Sequence, residues 1–404
     1  MLKDLLKQGS IVIVLGTGGV GKTTVAAALA IAAAEAKLDT ALITVDPSRR
    51  LRDALGVARL GGRPARLPAR HLRAAGLDPA LRLSAMMLDV KGVWDGIVER
   101  FAADPATRKR ILGNPFYQSL SAEFAGAEAF AALQQLYDLH QDGGFALEVV
   151  DTPPAAHAFE FLEAPARFTR LLDSRAARWL FTPSLSAGWL AVKVASNAAR
   201  FVMRELERFA GGNVLSTIAE FFAAAAETAD AIVDRLRKTE TLMRSPAVRF
   251  VMVTTAEEDR LRQARDLIGE MKRDKLHLSA IVINRFLDER SWRDAARDPL
   301  RALAHLEAIP RLCAAHHRTE APHRPGVAAL GRELELYRAL TLAQIARVAE
   351  FARELPTDLE LAITPELGAG VPDLRALARA AGYLTGGAGI LRALQSAAAR
   401  VTRN

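Results

Sequence analysis

Residues 10–24 read Ser10-Ile11-Val12-Ile13-Val14-Leu15-Gly16-Thr17-Gly18-Gly19-Val20-Gly21-Lys22-Thr23-Thr24. Ile11 to Leu15 is an apolar, largely β-branched run of strand character, and the alanine-rich stretch Thr24 to Ala36 is a helix pattern. Between them stand Gly16, four residues, then Gly21, Lys22 and Thr23. Glycines at this spacing let backbone N–H groups turn inward around phosphates, and the helix that follows adds its positive end. Lys22 is placed to reach β- and γ-phosphates, and the Thr23 hydroxyl to bind Mg2+. A tight strand-to-helix turn would account for the glycines but not for Lys22 and Thr23.

Working outward, similar apolar runs occur at Ala41 to Val45, Leu83 to Leu88, Leu147 to Val150, Arg249 to Val253, Ser279 to Ile283 and Leu359 to Ile363, with helical patterns between nearly all of them. Near-continuous apolar strands alternating with helices predict a doubly wound α/β fold. Its sheet is mostly parallel, of about seven strands, and covered on both faces. In such sheets ligands bind beyond the carboxyl ends of the strands. Asp46, Asp151 and Asn284 fall at those ends. The stretch from Phe168 to Arg244 lacks a strand pattern, and Ile218, Phe221, Phe222, Ala225, Ala229, Ile232 and Leu236 recur at helical spacing, broken at Gly211-Gly212-Asn213. The expected organisation is therefore residues 1–167 as the first part of the core, 168–244 as a helical insertion and 245–404 as the second part. Gly61 to Pro68 reads as a loop.

Composition narrows the classes. The 404 residues carry 54 Lys and Arg against 46 Asp and Glu, a net charge of +8. No 18-residue run is free of both charge and proline, and Met1-Leu2-Lys3-Asp4 lacks a signal-peptide core, so a cytoplasmic location is expected. The single cysteine, Cys313, can form neither an internal disulfide nor a Cys-x-x-Cys zinc site. Eight arginines lie between Arg49 and Arg73 with Asp53 as the only acid; this segment is either a solvated loop or a surface for an acidic partner.

Gly18-Gly19-Val20-Gly21-Lys22-Thr23-Thr24 resembles the deviant P-loop of the ArsA/Get family, whose relatives include the MinD and ParA ATPases. Asp46-Pro47-Ser48 resembles that family's first switch, whose aspartate orients the attacking water. Asp151-Thr152-Pro153-Pro154-Ala155-Ala156-His157, followed by Phe161-Leu162, resembles the second. Ile283-Asn284-Arg285 is similar to the segment that recognises adenine, and Pro365 to Leu377 to the last loop covering the base. The resemblance implies a SIMIBI-type ATPase with ATP and Mg2+ as ligands. Gly18, Gly19, Val20, Gly21, Lys22, Thr23, Thr24, Asn284 and Pro365 would hold the nucleotide. Thr23, Asp46 and Asp151 would serve the metal, and Lys22 and Asp46 the chemistry. It further implies a dimer, formed with a second copy or with a paralogous ATPase, that closes according to nucleotide state. His157 either couples the second switch to the other subunit or caps a helix.

The sequence also departs from the family pattern. The family carries a lysine just before the paired glycines, which reaches the other subunit's nucleotide; here Thr17 stands in that place. A paralogous partner supplies the lysine, an arginine such as Arg49 or Arg50 replaces it, or the protein binds ATP and turns it over slowly. Arsenite-pump relatives use a cysteine cluster, which Cys313 alone cannot provide. Tail-anchored-protein targeting relatives carry a bridging zinc site and a methionine-rich groove, and neither is evident; Met203 and Met243 are the methionines of the insertion. Trp179, Phe181, Leu185, Trp189, Leu190, Phe201 and Phe209 make 168–244 either domain core or a surface for a hydrophobic helical client or membrane-protein partner. An ATP-binding regulatory subunit and a ParA/MinD-like positioning ATPase are the alternative functions. Nucleic acid is not the expected partner, since the second switch and the insertion favour the ArsA/Get branch.

Overall fold

The computed structural model describes residues 5–46, 49–123, 127–153, 229–287, 324–356, 359–367 and 373–386, with positions 217, 220, 221 and 224. Its core is one eight-stranded sheet in the order β3-β4-β2-β5-β1-β6-β7-β8. The strands are β1 (Ser10–Gly16), β2 (Thr40–Thr44), β3 (Ala65–Arg66), β4 (Leu83–Met87), β5 (Leu147–Asp151), β6 (Val248–Thr254), β7 (Leu278–Phe286) and β8 (Glu360–Pro365). All neighbouring pairs are parallel except β3 with β4.

The seven apolar runs each become a strand. The eighth, β3, lies within the stretch expected to be a loop. Ala65 and Arg66 are both exposed, so no apolar alternation marks them, and their extended form comes from antiparallel pairing at the sheet edge beside β4.

The strands read as unbroken apolar runs because both faces are covered. Side chains alternate across a strand. Ile11, Ile13 and Leu15 of β1 enter one core cluster, and Val12 and Val14 enter the other. The first cluster takes in buried residues of α4 (Val90–Phe101), α7 (Ala127–Asp142), α9 (Glu258–Arg273) and α10 (Arg324–Glu354). The second takes in α1 (Lys22–Glu35), α2 (Arg50–Leu55), α3 (Ala69–Ala74) and α11 (Leu374–Gly386). Two short helices, α5 (Pro105–Leu112) and α6 (Pro115–Glu123), pack beside α4. Eleven of the fourteen residues of α1 are buried, most of them alanine, as expected for a helix enclosed on every side. It packs between the sheet and α11.

The described end of the expected insertion is α8 (Ala229–Met243), which buries Val233, Leu236 and Met243. Arg235 of α8 donates to Gln134 of α7 and pairs with Asp138, so this end is fastened to a helix that covers the sheet. Residues 168–216, with Trp179, Phe181, Leu185, Trp189, Leu190, Phe201, Met203, Phe209 and Gly211 to Asn213, lie outside the described residues, as do Pro47, Ser48, His157, Phe161, Leu162 and Cys313. Among the described residues no helix is long and apolar enough to cross a membrane.

Candidate functional site

β1 is central, with β5 on one side and β6 on the other. The chain leaves β1 through Gly16 and, after β2, returns to different sides of it, so the loop after β1 opens at a topological switch point. Two glycines give this loop its path. A Cβ on Gly16 would lie 2.4 Å from the Val253 carbonyl oxygen of β6. Gly21 has φ +90°, and a Cβ there would lie 2.2 Å from Asn284 Nδ2. Gly21 is also the residue before α1, which has no side-chain cap and no acid in its first turn. The first N–H groups of α1 are left for an anion by its own sequence.

Lys22 begins α1 and is buried. Its Nζ donates to the Thr17 carbonyl at 3.1 Å. Burial lowers its pKa, opposed by the charges of Asp151 and Asp46, while Arg50 adds to the lowering. Asp151 closes β5 as expected and is almost wholly buried. Its carboxyl is raised to about 6: burial, and to a lesser degree the Asp46 charge, raise it, while the hydroxyls of Thr23 and Thr44 and the Lys22 ammonium limit the rise. Thr44 Oγ1 donates to Asp151 Oδ2 at 3.1 Å, and Oδ1 is buried without a hydrogen-bond partner. Asp46 stands two residues beyond the end of β2, half-buried, and close enough for its charge to act on both Lys22 and Asp151. Thr152 Oγ1 donates to the Val14 carbonyl at 2.8 Å, fixing the exit of β5 against β1.

These oxygen donors suit Mg2+. It prefers hard ligands and is bound by one or two carboxylates together with substrate phosphates. Thr23, Asp46 and Asp151 are the residues that would hold it, and the partnerless Oδ1 of Asp151 is the atom with capacity to spare. Among the described residues no cluster of three His, Cys, Asp or Glu offers an all-protein cage for another metal.

On the other side of the loop, Asn284 is buried. Its Nδ2 donates to the Val20 carbonyl at 2.8 Å, and Thr364 Oγ1 of β8 donates to its Oδ1 at 2.7 Å. Asn284 thus braces the loop. An amide offers two N–H groups and two oxygen lone pairs, so one of each is left over. Asn284 is not the last residue of its strand: β7 continues to Phe286, with a register shift after Ile283 and Arg285 at φ +55°. Pro365 ends β8 opposite Phe286, next to Thr364. Gly18 and Thr24 are half-buried, Gly19 is exposed and Val20 is buried under the loop.

The structure therefore gathers Lys22, Thr23, Asp46, Asp151 and Asn284 around one loop. It also adds residues the sequence reading passed over. Thr44 and Thr364 are strand-end hydroxyls bound to site carboxamide and carboxylate groups, a pattern visible only once the strands are set side by side. Arg260 of α9 is the other: its Nη1 donates to Thr17 Oγ1 at 3.2 Å.

Residues 9–299 match the family described as anion-transporting ATPase. Over 290 residues the chain is 24% identical to a protein of Aspergillus terreus named ATPase get3, covering 71% of this chain and 76% of that one. It is 29% identical over 177 residues to ATPase GET3 of Paracoccidioides lutzii, covering 42% and 48%. It is 28% identical over 158 residues to a protein of Halobacterium salinarum named as an arsenical pump-driving ATPase, covering 39% of this chain and 24% of the other. The chain thus spans a quarter to three quarters of the length of these relatives. The matched span takes in the loop after β1, both strand-end aspartates and Asn284, so the chain belongs to the anion-transporting ATPase family of ArsA and Get proteins.

Proposed function

We propose that the chain binds ATP with Mg2+ at the loop after β1 and hydrolyses it to ADP and phosphate. The observation that carries this reading is the pairing of a buried lysine with a buried, partly unsatisfied aspartate at the uncapped start of α1. Burying both groups is costly in an empty structural role and useful where a polyphosphate and a metal complete the charge set. Mg2+, when bound, neutralises phosphate charge and supports the departure of the leaving group. The chain's residues do the rest. The loop amides and Lys22 hold the β- and γ-phosphates, and Asp46 orients a water. The water oxygen bonds to the γ-phosphorus as the bond to the β–γ bridging oxygen breaks. ADP leaves with that electron pair, and the water's proton is released with phosphate. The spare N–H and lone pair of Asn284 match the N7 acceptor and N6 donor of adenine, beside Pro365 and the start of α11.

In this reading the protein works in the cytoplasm. The nucleotide state sets how two subunits close, and residues 168–244 pass the change to a partner, a hydrophobic helical segment being the chemistry they fit. A titration of MgATP into the purified chain tests its foundation: saturable binding lost in Lys22→Ala supports it, and equal signals from both proteins sink it. Thr17 favours one second reading, an ATP-binding subunit that turns over little by itself. Turnover by the isolated chain that disappears in Asp46→Asn argues against that alternative.

A further inference from the structure

Hydrolysis at this loop places growing negative charge on the γ-phosphate oxygens and the bridging oxygen, and positioned cations supply most of the stabilisation. Thr17, between Gly16 and Gly18, contributes none. Yet two cations converge on its polar atoms: Lys22 Nζ on the carbonyl and Arg260 Nη1 on the hydroxyl. Arg260 is the third residue of α9, directly after β6, the strand that pairs with β1. Its backbone carbonyl accepts from Thr254 Oγ1 at 3.1 Å, which ties the start of α9 to the end of that strand.

The charge on Arg260 is handled differently from that of its neighbours. On the same helix Arg262 pairs with Asp259, Arg265 with Glu354 and Arg273 with Glu270. The Arg260 guanidinium instead donates to two neutral oxygens, Thr17 Oγ1 and Gln263 Oε1, each at 3.2 Å. It is half-buried, so its charge is partly shielded from solvent while facing the phosphate loop. Arg49 and Arg50, the arginines considered from sequence as one replacement for the missing lysine, are both exposed, and Arg50 begins α2.

We infer that Arg260 supplies, from within the same chain, a second cation to the terminal phosphate of the bound nucleoside triphosphate. It exchanges its hydrogen bond to Thr17 for the γ-phosphate oxygens as charge develops there. The inference rests on the nucleotide reading above. The bond from water oxygen to phosphorus forms, the bridging bond breaks, and no proton passes through the guanidinium.

The test uses the full chain, with MgADP affinity, MgATP affinity and steady-state turnover measured for each variant. Arg260→Ala is expected to lower kcat by about 100-fold or more while MgADP affinity changes by less than about threefold, because ADP lacks the contacted phosphate. Arg260→Lys should recover part of the loss, and Thr17→Lys in the Arg260→Ala background should restore turnover at least about tenfold. Arg262→Ala, already paired outside the loop, is the control for helix damage. Equal losses of ATP and ADP binding in Arg260→Ala would make the residue a brace for the loop and overturn the inference. So would an unchanged kcat, a larger loss in Arg50→Ala, or a wild type that binds MgATP without turnover above the Asp46→Asn background. A wild type that fails to bind MgATP removes the nucleotide reading itself, a distinct result.

Discussion

Asp151 and Glu148 sit three residues apart on β5 and are buried to the same degree, at 1% and 2% exposure. Asp151 lies at the carboxyl end of the strand among Lys22, Thr23, Thr44 and Asp46. Glu148 lies near the other end, where its Oε2 is 3.6 Å from His140 Nδ1, too far for a hydrogen bond. Burial raises both carboxyls, to about 6 for Asp151 and about 8 for Glu148. His140 gives Glu148 little help, because burial also lowers the imidazole pKa and favours the neutral ring. Depth is therefore not what separates the two. Asp151 is surrounded by donors and a cation that favour its charged form, whereas Glu148 is left to keep its proton near neutral pH.

The sharpest break of this comparison is kinetic. Asp151→Asn should lower MgATP turnover by at least about 100-fold, whereas Glu148→Gln should leave kcat within about twofold; similar losses in both would erase the distinction. Next in size is the effect of pH on stability. Below the ordinary glutamate pKa of 4.5 both folded and unfolded chains hold the Glu148 proton, and nothing is lost. Between 4.5 and about 8 the folded chain keeps a proton that the unfolded chain releases, so stability falls as pH rises, and above about 8 the whole cost is present. Glu148→Gln removes that slope. Denaturant unfolding at pH 9 should show the variant more stable than wild type by on the order of 5 kcal/mol, with the gap largely closed by pH 5.

Gly21→Ala leaves both carboxylates in place and disturbs only the loop. With φ at +90° and the added carbon driven against Asn284 Nδ2, about 1–2 kcal/mol of stability should be lost. MgATP affinity should fall at least about tenfold, as calorimetry can read. The smallest expected effect is His140→Ala. Opening Glu148 to water lets it ionise more easily, reducing the total loss of stability between pH 5 and pH 9 by about 0.5 kcal/mol; an unchanged loss would mean that the ring does not set the burial.

All seven apolar strands were legible because a sheet covered on both faces demands continuous hydrophobic runs, and Lys22 and Thr23 because their spacing has a mechanical reason. Three things were not. Ala65 and Arg66 pair at an edge with no buried face to mark them. Glu148 interrupts an apolar run by one residue, and periodicity does not say whether such a carboxylate is paired. Arg260 meets Thr17 across 243 residues of chain because β6 lies beside β1, a neighbour relation that local pattern cannot carry.

Finally, α1 has consequences for motion. Nearly all its side chains are small and enclosed between the sheet and α11, so a slide or tilt would displace close-packed atoms on two sides at once. The end of the helix at which we place the phosphates is thereby a stationary anchor, and in that reading binding and release fall to the segments that approach it.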